Sequence, residues 1–125
     1  MAYEESHDVL TGDGAEDLIA SDEVEGTTVY DELGRKLGVI GYFLVGKRDG
    51  RARYAVLSFG GFLGMGERLF PIPWEMLKYN RDLQGYIVNV DKDFLKDAPS
   101  YEPGTRPDFE RSYREGVYRH YGMAF

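Results

Sequence analysis

The chain has 125 residues, 42% of them hydrophobic and 30% charged, with no cysteine and a formal charge of −7. That length allows one domain with a modest core, and it leaves no room for separate cofactor and substrate domains. The absence of cysteine removes disulfides, thiolate nucleophiles and thiolate metal ligands, and no run reaches the roughly 18 apolar residues of a membrane span.

The charge is unevenly placed. Glu4, Glu5, Asp8, Asp13, Glu16 and Asp17 fall in the first 19 residues, which hold no Lys or Arg, so the rest of the chain is nearly neutral. Residues 1–20 are therefore expected to be a disordered acidic tail, since they offer too little apolar surface to offset the entropy of ordering. The opening MAYEESHDVL lacks the basic and apolar regions of a secretory signal, and the expected location is cytoplasmic with no membrane insertion.

From residue 21 the pattern is that of short strands and tight turns. VEGTTVY (24–30) runs into Asp31-Glu32-Leu33-Gly34, where Gly34 supplies the left-handed residue of a turn with a bulge. KLGVIGYFLVG follows, and Asp49-Gly50 marks a hairpin into RARYAVLSFG. Both of these strands are apolar on both faces. Strict alternation puts Leu37, Val39, Phe43 and Val45 on one side and Ile40, Tyr42 and Leu44 on the other, so both sides must be covered.

In RLFPIPWEML, Phe70, Ile72 and Trp74 alternate onto one face while Pro71 and Pro73 remove backbone donors in the other phase. This predicts an edge or seam strand that Pro73 ends, with one helical turn over Trp74–Leu77. YIVNVD (86–91) alternates as a strand. Strands at near-regular spacing without a long helix between them predict a mainly β fold, a small antiparallel β-barrel occupying residues 21–98.

A linker, 99–106, then leads to PDFERSYREGVYRHYGMAF. Pro107 suits a first helical position, and Phe109, Tyr113, Val117 and Tyr121 recur every four residues as one apolar stripe, which predicts an amphipathic helix over 107–122. Glu110 and Arg114 are spaced as an i,i+4 pair. A helix of this length containing Gly116 is marginal alone and must dock, either on its own barrel or on a second subunit.

Several motifs point to chemistry and fail on closer reading. Gly60, Gly61, Gly64 and Gly66 could cradle a phosphate only by opening a helix, yet they lead into the strand beginning Leu69-Phe70, and Leu69 stands where the third glycine of a dinucleotide loop belongs. Gly41 to Lys47 has Walker spacing, but Arg48 replaces the magnesium-binding hydroxyl and the intervening residues are a strand. His7 and His120 have no partner at ligand spacing, Ser58 and Ser112 have no recognisable base, and Asp91 and Asp93 read as an N-cap and a first-turn acid. No catalytic residue, metal or cofactor is expected.

The run from Ser21 to Ser100, above all SDEVEGTTVYDELGRKLGVI, YAVLSFGGFLGMGERLFPIPWEMLKY and GYIVNVDKDFLKDAP, resembles the PRC-barrel domain family. That small barrel occurs in the H subunit of photosynthetic reaction centres and in a ribosome-maturation factor, and the stand-alone bacterial members are the better match. The resemblance implies a barrel that binds other macromolecules and is not itself an enzyme.

The expected function is thus a non-enzymatic protein-binding or scaffolding module that serves the assembly of a larger complex, photosynthetic or membrane-associated, and forms a homodimer. The candidate protein-binding residues are Phe62, Leu63 and Met65 on the glycine-rich hairpin, with Phe109, Tyr113, Val117 and Tyr121 on the helix. The alternative is an RNA- or ribosome-associated factor using Arg35, Lys36, Lys47, Arg48, Arg51 and Arg53 as a basic patch beside Tyr42 and Tyr54. A small-molecule carrier is the weakest class, because a barrel of this size fills its interior with side chains.

Overall fold

A computed structural model describes residues 18–59 and 67–125. Within them a short helix α1 (Ser21–Val24) precedes β1 (Thr28–Tyr30), β2 (Lys36–Val45), β3 (Ala52–Phe59) and β4 (Arg68–Pro73). A 3₁₀ turn (Trp74–Met76), β5 (Lys78–Asn80), β6 (Gly85–Ile87), α2 (Lys92–Lys96) and α3 (Arg111–His120) complete the chain. The first strand is shorter than its sequence pattern predicts. Glu23 accepts a hydrogen bond from the Ala20 amide at 3.1 Å and closes a helical turn in front of it.

The strands form one sheet in the order β4-β3-β2-β1-β6-β5. All neighbours are antiparallel except β1 and β6, which pair in parallel, Val29 opposite Tyr86 and Tyr30 opposite Ile87. The expected antiparallel barrel is corrected in two respects: the sheet is mixed, and among the described residues β4 and β5 are its edges and do not pair with each other. The cause lies at Pro73, which ends β4. The 3₁₀ turn then carries the chain away, so that the β5–β6 hairpin joins the sheet beside β1. Trp74, in that turn, still reaches across the sheet, 5.9 Å from the Phe43 ring on β2 and 5.6 Å from Tyr86 on β6.

The alternation read along β2 is also corrected. Ile40 lies opposite Leu57 and Tyr42 opposite Val56, so Gly41 is an extra residue that bulges from the ladder and switches the phase. Ile40 and Phe43 therefore share the inner face with Ala55, Leu57, Phe70 and Ile72, while Tyr42 and Leu44 share the outer face with Tyr54, Val56, Pro71 and Pro73. The inner face joins Val29, Tyr86, Val88 and Leu95 in the main core.

The outer face is covered by the chain's own C-terminal segment. Tyr101 pairs with Leu69 on the β4 edge through two backbone hydrogen bonds of 2.8 and 3.0 Å, and its hydroxyl meets that of Tyr42 at 2.5 Å. Residues 99–106 are pinned further where Arg68 donates to Ser100 at 2.9 Å. Tyr101 and Phe109 pack on Val56, Leu69, Tyr42 and Leu44, and Tyr54 meets Phe109 and Tyr118 at 5.4 and 6.1 Å.

The C-terminal helix begins at Arg111, four residues after Pro107. Phe109 precedes it with φ 57° and is not on it. The ion pair on its surface is Arg111 with Glu115 at 3.1 Å. At its end Met123 donates to the Tyr118 carbonyl and Gly122 to that of Arg119, a Schellman closure.

Candidate functional site

The loop between β1 and β2 is held by one carboxylate. Asp31 accepts hydrogen bonds from the Leu33 and Arg35 amides, both at 2.9 Å, and from the Arg35 guanidinium at 2.8 Å. Burial alone would raise this carboxyl, but the Arg35 and Leu33 amides together with the Arg35 guanidinium outweigh it and hold Asp31 below the usual carboxylate range. Gly34 takes φ 82°, which a side chain would oppose, and the tight loop that results thrusts Leu33 into solvent with 77% of its surface exposed.

A second element faces this loop. Asp91 caps α2 by accepting from the Phe94 amide at 2.9 Å. Leu95 is thereby buried in the core, while Phe94 turns outward. The end of α3 fixes Phe94: its ring lies 4.4 Å from His120 and 5.7 Å from Tyr121, and the His120 Nε2 sits 3.1 Å from its carbonyl oxygen. Phe94 nonetheless stays 38% exposed.

Between loop and helix runs an open groove of about 810 Å³. Its apolar lining is Leu33, Met76, Val90, Phe94 and Tyr121, and its acidic lining is Asp31, Glu32, Asp91 and Asp93, with Arg35 the single cation of the lining among the described residues. The Tyr121 phenol is pushed up by burial, and its hydroxyl finds no hydrogen-bond partner among the described residues. The carboxylates are spread along the rim, and no group of three or more metal-ligating side chains occurs among the described residues. The groove is thus suited to hold a shape, with apolar contact below and negative charge around it.

The residues singled out in the sequence fall in three places. Phe62, Leu63 and Met65 lie outside the described residues. Tyr113, Val117 and Tyr121 turn inward from α3, with Val117 fully buried and Tyr121 8% exposed, and Phe109 packs on the outer face of β2 and β3. In this conformation the stripe serves the chain's own sheet, and only Tyr121 reaches the groove.

The basic residues do not form one patch. Arg35 and Lys36 stand at the start of the ten-residue strand β2, whereas Lys47, Arg48 and Arg51 lie beyond its end and Arg53 at the start of β3 beside it. At about 3.3 Å per residue the two groups are roughly 30 Å apart. Arg35 is bound to Asp31 and Arg53 to Asp49, leaving Lys47, Arg48 and Arg51 exposed on the hairpin tip.

Two groove residues were missed in the sequence. Leu33 carried a signal, a large apolar residue inside a turn between Glu32 and Gly34. Phe94 carried none, because its neighbour Leu95 fits a core position equally well.

Comparison with curated proteins gives no match. Comparison with protein families matches the PRC-barrel domain over residues 16–95, which spans every strand of the sheet and ends within α2. The segment bearing Tyr101, Phe109 and α3 lies beyond that match. With a match that covers more than half its length, the chain belongs to the PRC-barrel domain family.

Proposed function

We propose that this protein is a non-enzymatic protein-binding module that joins a larger assembly through the groove between the β1–β2 loop and α2. The observation that supports it is the exposure of Leu33 and Phe94 on a concave surface, while most large apolar side chains of the described sheet are buried. Apolar anchors in a depression with a polar rim are the usual make-up of a binding hot spot. The loop and helix that present them are fixed by Asp31 and Asp91, so the surface is preorganised and loses little entropy on binding.

The test is photo-cross-linking in the host cell from a reactive residue placed at Leu33, with a second version at Arg48 on the basic hairpin. A discrete protein adduct from position 33 supports the module. RNA adducts from position 48, with none from position 33, would replace it by the nucleic-acid reading.

A further inference from the structure

We infer that the groove takes a basic segment of a partner protein, a stretch rich in Lys or Arg that carries one or two large apolar side chains. The inference rests on the protein-binding reading above and adds the chemistry of the partner. The carboxylate of Asp31 is already satisfied by Arg35, which leaves Glu32, Asp91, whose carboxylate caps the Phe94 amide, and Asp93 as lining carboxylates with no cation beside them in the described lining. Asp93 does meet Lys96 at 3.5 Å, but their side chains are 89% and 55% exposed, and a pair so hydrated neutralises little.

Charge decides among the possible occupants. A nucleic acid or an anionic lipid surface would bring negative charge to a negative rim. The chain's own residues 1–19 are acidic and meet the same repulsion. A second copy could offer its hairpin tip, where Lys47, Arg48 and Arg51 stand near the exposed Val45. Each copy carries −7, however, so approach of two copies is opposed at long range, and a hairpin tip would bury far less than the roughly 1,000 Å² expected of a specific interface. A cationic partner gains from both terms: the lining carboxylates Glu32, Asp91 and Asp93 attract it, and its aliphatic stems can lie along Leu33, Val90 and Phe94 with their charges at the rim.

The experiment titrates the full-length ¹⁵N-labelled chain with a short amphipathic peptide of Lys and Leu, and with its Glu/Leu counterpart. The Lys/Leu peptide is expected to shift the amides of Leu33, Val90 and Phe94, and Glu32→Lys combined with Asp93→Lys should weaken it about tenfold, two exposed charge contacts being reversed. Both substituted sites are solvent-facing, and an unchanged thermal midpoint confirms that the variant is folded. Equal binding of the Glu/Leu peptide, or shifts confined to another face, would overturn the inference. So would peptide-free, concentration-dependent shifts at both Val45–Arg51 and Leu33–Phe94, which would assign the groove to a second copy. The two readings fail separately. Cross-linked partners at Leu33 that lack basic segments refute the charge chemistry and leave the module standing, whereas an absence of adducts there removes both.

Discussion

Val117 gives the sharpest test of how the C-terminal segment is used. Its side chain is fully buried in the main core, together with side chains of the sheet and Leu95 of α2. Val117→Ala removes two carbons, worth about 1.6 kcal/mol at ~0.8 kcal/mol each, and leaves a void of about 50 Å³ that adds roughly 1 kcal/mol if the site does not collapse. The expected loss is therefore about 2.5 kcal/mol. For a domain of about 100 residues, with an unfolding entropy near 2.1 cal/mol/K per residue, that lowers the midpoint by about 10 °C. Calorimetry at several protein concentrations reads it, with Gly116→Ala as the opposed control. A Cβ at Gly116 meets nothing within 4 Å, so that variant should gain up to about 1 kcal/mol of helix propensity and melt later. If Val117→Ala shifts the midpoint by less than about 3 °C, or if the midpoint climbs with concentration, the helix is not packed in the core of its own chain and its placement is wrong.

Three further outcomes follow from particular contacts. A Cβ at Gly85 would sit 2.5 Å from the Thr28 carbonyl oxygen and 2.8 Å from the Tyr30 ring, so Gly85→Ala should cost about 1–3 kcal/mol in urea unfolding by prising β6 from β1, and a neutral result would contradict the parallel pairing. Asp31 is held below its unfolded value, so its contribution is fully present above about pH 4 and is lost as pH falls through the lower folded value. Asp31→Asn should therefore be less stable than wild type at neutral pH, and the difference should close as pH falls below about 4; a difference that stays constant down to about pH 2 would show that the carboxylate is not held by these contacts. Burial pushes the Tyr54 phenol up to about 12 and also raises Tyr86, Tyr101 and Tyr113, so stability is complete below about pH 10 and declines as pH rises from there towards the folded values. Phenolate absorbance rising in full near pH 10 without unfolding would show that these rings are not buried.

Much of the fold was legible because local chemistry fixes it. Asp49-Gly50 can hardly be other than a hairpin, and Gly50 takes φ 70° there. Pro71 and Pro73 demand an edge, and β4 is one. What could not be read depends on pairings distant in sequence. The bulge at Gly41 is visible only once Leu57 and Val56 are known to face Ile40 and Tyr42, and it reassigns every side chain after it by one position. The parallel contact of β1 with β6 is of the same kind, since nothing in TVY or GYI names its neighbour. Pro107 misled because its suitability for a helix start is local, whereas Phe109 leaves helical geometry to reach Tyr54 and Tyr101, and the helix can begin only after that contact is made.

The candidate site was the harder part, for a related reason. A search for apolar stripes and clusters of like charge finds residues close in sequence, and here such residues are separated or spent: α3 covers the chain's own sheet, and the basic residues divide between the two ends of β2. The groove instead joins Leu33, Phe94 and Tyr121, each supplied by a different turn or helix, and none stands out until the sheet brings them together. The same geometry explains why the acidic balance matters. The β1–β2 loop and the hairpin tip lie at opposite ends of one strand, with Asp31, Glu32, Arg35 and Lys36 balanced near the first and Lys47, Arg48 and Arg51 on the second. The cationic tip repels a cationic partner, whereas the carboxylates of the groove lining, Glu32, Asp91 and Asp93, attract it, so short-range charge favours the groove over the tip.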